Sequence, residues 1–295
     1  MSAQTVAPLA STGTTTSNDE ADSFLGRWGA LILLIGFLGI PLLALLVFSV
    51  ATAWSGTVLP SGYTAEHWIG ALTSSDVLSA VGRSLFLAVA VCVINWILVI
   101  PAAYVSVVVE PRIRPWFQAL AVVPFALPWI VIAAGMQLTV KEIAPGLFGT
   151  VGLLVLTLSG VTFPYLYWAV ENSLITNNAK QLSEAARMSG ASLPRTLLQV
   201  IVPAIRTGVM SGSLLTAASV FGEFPITMTL IGGGYETLPL WTLRMFSGRV
   251  PGAGAELAAV SFATFALLFA VSLLITRIDT ATKPADPVRP PARIS

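Results

Sequence analysis

Long apolar stretches dominate this sequence and restrict it to folds that cross a membrane. Residues 28–53 and 84–109 contain no charged side chain. About 20 mostly apolar residues cover the hydrocarbon core of a bilayer as a helix. The sequence therefore predicts an all-α integral membrane protein with six transmembrane helices, in which prolines are tolerated. The predicted spans are 28–53, 84–109, 115–138, 150–170, about 207–231 and about 257–276.

The composition agrees with a chain whose main solvent is lipid. Only 10% of the residues are charged and 55% are hydrophobic, whereas soluble domains carry roughly 25% charged residues. The net charge of +1 argues against a nucleic-acid partner, which requires a basic surface. Cys92 is the one cysteine, so we expect a buried thiol, no disulfide framework and no cysteine metal site.

The distribution of Lys and Arg predicts the orientation. With the N-terminus in the cytoplasm, six spans leave eleven basic residues inside and four outside. The positive-inside rule favours this arrangement, with both termini cytoplasmic. Residues 1–27 and 278–295 are predicted cytoplasmic tails, and residues 28–277 form the six-span domain. The inner residues are Arg27, Arg112, Arg114, Lys180, Arg187, Arg195, Arg206, Arg277, Lys283, Arg289 and Arg293; the outer ones are Arg83, Lys141, Arg244 and Arg249.

A few polar side chains interrupt the predicted spans. Glu223 lies well inside the fifth span, where a charge is costly unless it faces a cavity or a partner. It is a candidate for the lining of a translocation path or a latch between helices, or for a structural hydrogen bond to a neighbouring helix. Asn95 is a weaker path candidate, for which a structural interhelical bond is favoured. Glu171, near the cytoplasmic end of the fourth span, is interpreted as an interfacial charge.

One polar segment lies between two apolar stretches and faces the predicted cytoplasmic side. A helix over residues 178–190 would put Lys180, Glu184 and Arg187 on one face. Leu182, Ala185, Ala186 and Ser189 would form a second, small and mostly apolar face. Gly190 is a suitable helix stop, and Ser192 and Pro194 suit the start of a second helix. The segment thus predicts a helix, a sharp turn, and a helix that returns to the membrane at Pro203.

The same segment carries a recognisable pattern of residues. The pattern begins with Glu184-Ala185-Ala186, which is followed by three residues and Gly190. Nine further residues lead to Val-x-Val-Pro, which ends at Pro203. This pattern resembles the Glu-Ala-Ala signature loop of the membrane subunits of binding-protein-dependent ABC importers, which reads Glu-Ala-Ala-x3-Gly-x9-Ile-x-Leu-Pro. Val200 and Val202 are apolar replacements for Ile and Leu. The resemblance implies a type I importer permease fold.

The resemblance also implies a role for the loop and a set of partners. Residues 176–206 would be the coupling loop, whose short helix docks in a cleft of an ATP-binding cassette subunit. The other implied partners are a second permease subunit, identical or paralogous, and an extracytoplasmic substrate-binding protein, in a bacterial inner membrane. The coupling residues would be Glu184, Ala185, Ala186, Arg187, Gly190 and Pro203.

The sequence contains no Gly-x4-Gly-Lys-Ser/Thr phosphate loop. We therefore expect a non-catalytic subunit without a cofactor or metal of its own, while a partner chain binds ATP and Mg. The stretch from Gly222 to Trp241 resembles permeases of the spermidine and putrescine branch, which includes aminoethylphosphonate and ferric-iron systems. The resemblance implies a small polar cargo of this kind.

Two other classes of membrane protein make different demands on the sequence. An ion-coupled secondary transporter would need intramembrane ionisable groups and internal repeats, and here only Glu223 lies well inside a span. An intramembrane enzyme would need catalytic groups at membrane depth. His67 is the one histidine and is predicted to lie in a loop, and no His-Glu-x-x-His metal motif occurs.

Overall fold

The computed structural model describes residues 17–52, 54, 59–248 and 253–281. These residues form thirteen α-helices joined by short turns, with no strand beyond one isolated bridge between Ala51 and Tyr63. The helices are α1 Ser17–Ser49, α2 Glu66–Thr73, α3 Ser75–Tyr104, α4 Arg114–Ala126, α5 Trp129–Ile143, α6 Val151–Thr176, α7 Ala179–Met188, α8 Leu193–Thr196, α9 Val202–Ala204, α10 Arg206–Phe221, α11 Pro225–Leu230, α12 Leu238–Ser247 and α13 Ala253–Ala281.

Four continuous helical stretches are long and apolar enough to cross a membrane. Two further candidates are pairs of helices bent at a short break, Pro111–Ala126 with Trp129–Ile143 and Leu193–Ala204 with Arg206–Phe221. The predicted all-α membrane fold is confirmed, and the count of six spans holds if each bent pair crosses once. The continuous stretches are Leu31–Ser49, Ser75–Val109, Val151–Thr176 and Ala253–Leu274.

The third and fifth predicted spans differ from the structure because each is broken. Helices α4 and α5 meet at an angle of 101°. Pro128 disfavours helical geometry at the residue before it, and Leu127 is extended, at φ −113° and ψ 136°. The fifth predicted span, 207–231, is helical only to Phe221 before the short helix α11 begins at Pro225.

Other helix boundaries also differ from the predicted ones. Helix α6 continues to Thr176 rather than ending near 170. Helix α1 begins at Ser17, inside the predicted tail, and His67 lies in α2 rather than in a loop. Its Nε2 is 3.2 Å from the carbonyl oxygen of Ala51. The remaining tail residues, 1–16 and 282–295, lie outside the described residues.

Helix α6 lies at the centre of the fold, with α3, α4 and α10 packed around it. Gly208 and Gly212, one helical turn apart, let α10 approach α6 closely, as small residues do in membrane helix pairs. A Cβ atom at Gly208 would lie 2.5 Å from the Cβ of Ser173 and 2.6 Å from the carbonyl oxygen of Ala169. This close packing fixes α10 against the end of α6 from which the polar segment begins.

Candidate functional site

The polar segment forms helix α7, which is held against the bundle by one side. Ala179 and Ser183, one turn apart, are both buried. The hydroxyl of Ser183 lies 2.7 Å from the phenol oxygen of Tyr104, at the end of α3. Ala179 belongs to an apolar cluster that also contains Tyr104 and Ile201. Helix α7 therefore packs against both the end of α3 and the segment that follows α7, which contains Ile201.

Turns at both ends of α7 fix its direction. Asn178, before the helix, has a positive φ of 49°, and Gly190, after it, has a φ of 85°. The backbone N–H of Gly190 donates to the Arg187 carbonyl, and the N–H of Ala191 donates to the Ala186 carbonyl. This pair of bonds is a Schellman motif, which requires a left-handed residue at the Gly190 position. The predicted helix stop at Gly190 is confirmed.

The side of α7 that faces away from the bundle combines charged and apolar groups. Lys180, Glu184 and Arg187 are exposed, and within the described residues none of their side chains makes a hydrogen bond or ion pair. Met188 is 85% exposed. Ala185 is exposed and Ala186 is half-buried. A rigid helix with such a surface can bind a partner without rearranging, since its backbone is already fixed.

The chain then turns into a second helical segment that runs from Leu193 to Ala204. Pro194 lies in the first turn, as predicted, and Ser192 occupies the N-cap position. The Ser192 side chain makes no capping hydrogen bond, so the cap predicted there is wrong in this detail. A π-helical turn spans Leu197–Ile201. Pro203 is exposed in the short helix α9, just before the 78° bend into α10.

A partly buried ion pair between α4 and α6 was missed by sequence reasoning. The Nε of Arg114 donates to Oε1 of Glu171 at 2.6 Å, and Gln118 donates to the same oxygen at 2.9 Å. Glu171, predicted as an interfacial charge, is buried in the protein and paired with Arg114. The pair joins the start of α4 to the end of α6. No local signal links two residues so far apart in the sequence.

The two path candidates lie in other parts of the bundle. Glu223 is 3% exposed, and its carboxylate accepts hydrogen bonds from the N–H groups of Ile226 and Thr227 and from the Thr227 hydroxyl at 2.7 Å. It thus holds the first turn of α11. Asn95 is buried and donates to the hydroxyl of Thr162 at 3.3 Å. Both side chains make structural bonds in this conformation.

A cluster of charges lies at the predicted external end. Arg244 donates to both carboxylate oxygens of Glu236, at 2.5 and 3.2 Å, and lies 3.6 Å from Asp76. Hydrogen bonding to Glu236 raises the pKa of Arg244. Burial raises the pKa of Tyr235. The Arg83 guanidinium donates to the Glu236 carbonyl at 3.2 Å, so this cluster ties α12 to the start of α3.

Comparison with known proteins gives consistent matches. The sequence profile of the family described as "binding-protein-dependent transport system inner membrane component" matches residues 100–284. PhnV of Salmonella typhimurium, a permease protein named for a 2-aminoethylphosphonate transport system, is 25% identical over 251 residues, which cover 84% of this chain and 92% of PhnV. The putrescine transport system permease protein PotI of Escherichia coli is 28% identical over 246 residues, which cover 79% of this chain and 84% of PotI.

A solved structure has the same fold. It is the crystal structure of a bacterial ABC transporter involved in the import of the acidic polysaccharide alginate. The superposition covers 90% of this chain and 99% of that chain with a TM-score of 0.68, at 16% sequence identity. The family match includes the whole Glu-Ala-Ala pattern, from Glu184 to Pro203.

Proposed function

Because this chain belongs to the family of binding-protein-dependent transport system inner membrane components, we propose that it lines the translocation path of an ATP-driven importer and couples that path to separate ATP-binding subunits. Each ATP-binding subunit binds Mg-ATP on the cytoplasmic side. A second permease subunit, identical or paralogous, completes the path, and a substrate-binding protein delivers cargo from outside. This chain performs no hydrolysis itself. Both termini lie in the cytoplasm of a bacterial cell, as the distribution of Lys and Arg favours.

The observation that carries this proposal is the construction of α7, which we call the coupling helix. One side is fixed by the Tyr104–Ser183 bond. The other side presents Glu184, Arg187 and Met188 to the surroundings. A helix built only to complete the bundle would have no need to expose a methionine beside a charged residue. An exposed apolar group within a polar rim is typical of a protein-binding surface.

The contacts of the coupling helix provide a route for force. Helix α7 packs against the segment 197–201, the turn 105–109 after α3, and the end of α6. A push on the exposed side therefore reaches the ends of α3 and α6 and the segment that leads into α10 together. Packed elements of this kind respond by discrete rearrangement rather than by continuous deformation. We expect this movement to switch access of the path between the two sides of the membrane.

The cargo is proposed to be a small polar solute such as a polyamine, an aminoethylphosphonate or ferric iron. PhnV and PotI are named for 2-aminoethylphosphonate and putrescine transport. Both of these molecules carry a primary amine, which is protonated at neutral pH. Within the class, we expect the soluble binding protein to select the cargo.

The direct test is transport by the purified assembly. The chain is co-expressed with the genes beside its own, purified with its companions, and reconstituted in liposomes with labelled putrescine and 2-aminoethylphosphonate on the binding-protein side. We expect uptake that requires Mg-ATP on the opposite side and stops when the ATP-binding subunit is omitted. Uptake by the chain alone under a proton or sodium gradient would instead identify an ion-coupled secondary transporter.

A further inference from the structure

A groove runs along the surface of the bundle between α3, α10 and α13. Its volume is about 530 Å³. Its walls include Val89, Val93 and Met210, with Val271 of α13 at one edge. Val89 and Val93 are exposed. Since all of these residues belong to membrane-crossing elements, the groove lies at membrane depth.

Apart from Arg206 at its edge, the polar groups in the groove wall already have partners. The indole N–H of Trp96 donates to the Ser213 hydroxyl at 2.7 Å, and that hydroxyl donates to the Val209 carbonyl at 2.6 Å. The Cys92 thiol lies 3.5 Å from the Ser213 carbonyl. A polar solute that entered the groove would lose its hydration and gain no hydrogen bonds, which is unfavourable. A hydrocarbon chain would lose nothing, so the wall suits a lipid acyl chain and not a polar cargo.

The groove ends at a positive charge. Arg206 lines it and is the first residue of α10, immediately after the 78° bend. The Arg206 side chain is exposed and makes no hydrogen bond or ion pair with any part of the chain that the structure describes. At this bend, the segment Leu193–Ala204 meets α10 at an angle of 78°. Arg206 therefore lies where the chain enters the membrane from the predicted cytoplasmic side.

We propose that this groove is a binding site for an anionic phospholipid of the inner leaflet. The acyl chain lies against Val89, Val93 and Met210, and the phosphate contacts the guanidinium of Arg206. Arginine suits this contact because its planar group forms two parallel hydrogen bonds to phosphate oxygens. Basic residues between membrane helices on the cytoplasmic side bind lipid headgroups in the same way. This lipid contact does not depend on the identity of the cargo.

Such a lipid would stabilise the bend that follows the Glu-Ala-Ala pattern. Ile205, between Ala204 and Arg206 at the bend, is fully buried. A phosphate on Arg206 would neutralise a charge at the point where the two helical segments change direction. Anionic lipid would thus favour the conformation in which the segment 193–204 is held at this angle to α10.

The test measures retained lipid on the full-length chain, purified from membranes with the subunits that accompany it. Nanodiscs contain equal amounts of phosphatidylglycerol and phosphatidylcholine, and native mass spectrometry quantifies the lipid that stays bound. We expect phosphatidylglycerol to be enriched, and Arg206→Gln to lower its retention by about fivefold, the factor that corresponds to one interfacial cation. Arg195→Gln is the matched control, because Arg195 is exposed nearby, lies outside the groove and donates to Gln199.

A second variant tests the groove without changing charge. Met210→Trp fills the space beside Val93 and should lower retention of both lipids, while thermal melting shows that the variant is folded. Equal retention in the wild type, Arg206→Gln and Met210→Trp would overturn the proposal. Cysteines introduced at Val89 and Met210 also show whether a protein or a lipid occupies the groove. Efficient disulfide cross-linking between two permease chains at these positions would show that a protein, and not a lipid, covers the groove.

Discussion

The phenol oxygen of Tyr104 and the hydroxyl oxygen of Ser183 lie 2.7 Å apart, in a buried contact between the end of α3 and the coupling helix. Ser106, two residues further on, bonds to Tyr167 of α6 at 3.3 Å. The end of α3 thus carries one contact to the coupling helix and one to the central helix. In the proposed mechanism, a push on α7 would enter the bundle through this contact.

Removal of the Tyr104 hydroxyl tests that relationship. Tyr104→Phe leaves the Ser183 hydroxyl buried without its partner, and we expect a loss of about 1 kcal/mol in the free energy of unfolding. Uptake per ATP hydrolysed should fall, because α7 can then shift without moving α3. Thermal melting and coupled transport assays provide the readouts. The double variant Tyr104→Phe/Ser183→Ala should be no less stable than the single one; additive losses would contradict a direct bond.

The turn at Gly190 is the second test. An alanine there would have to adopt a left-handed backbone at a cost of about 1–2 kcal/mol, although no atom lies within 4 Å of its Cβ position. We expect Gly190→Ala to redirect the end of α7 and to uncouple ATP hydrolysis from uptake. Gly149→Ala is the matched control, since its φ of 71° and open surroundings are similar. Equal uptake in the two variants would contradict the coupling role.

Reversal of the Glu184 charge tests the docking surface. Glu184 is exposed and makes no bond within the described residues, so Glu184→Lys should change stability by less than about 0.5 kcal/mol. Uptake should fall by about tenfold or more, which corresponds to about 1.4 kcal/mol at a desolvated contact. Glu142→Lys, an exposed carboxylate of α5, is the control and should transport normally. Normal uptake by Glu184→Lys would show that Glu184 does not contact the ATP-binding subunit.

Glu223 needs a test that separates a structural role from contact with cargo. Glu223→Ala removes three hydrogen bonds at the start of α11 and should cost about 2 kcal/mol of stability. Thr227→Val removes only the hydroxyl bond and should cost about 1 kcal/mol. If the carboxylate acts only as a cap, uptake should follow stability in both variants and in Glu223→Gln. A raised KM for cargo in Glu223→Gln, at unchanged stability, would place Glu223 in the translocation path.

The sequence was informative where the signal is local. The coupling helix and its stop could be predicted because Gly190 and the residues around it form one short-range motif. The membrane spans could be located because apolar runs of this length have few alternatives in water. Pro203 and Pro194 also lie where local rules place them.

Other features depend on distant contacts or on the angle between elements. Pro128 disfavours helical geometry at the residue before it, but this local rule does not give the angle of 101° at which α4 and α5 meet. The sequence around Glu171 predicts a charge near the membrane interface, but it does not indicate the ion pair with Arg114. The bond between Tyr104 and Ser183 joins residues that belong to separate elements. Interactions of this kind become visible only once the helices are assembled.

The most direct test of the account is the accessibility of the coupling helix. Cys92 is the one native cysteine, so Cys92→Ala combined with Met188→Cys gives a single thiol at a position that is 85% exposed. A membrane-impermeant maleimide should label this thiol in inside-out vesicles and not in right-side-out vesicles, and addition of the ATP-binding subunit should block the labelling. Labelling in right-side-out vesicles, or labelling that the ATP-binding subunit leaves unchanged, would contradict the proposal that α7 couples this permease to a cytoplasmic motor.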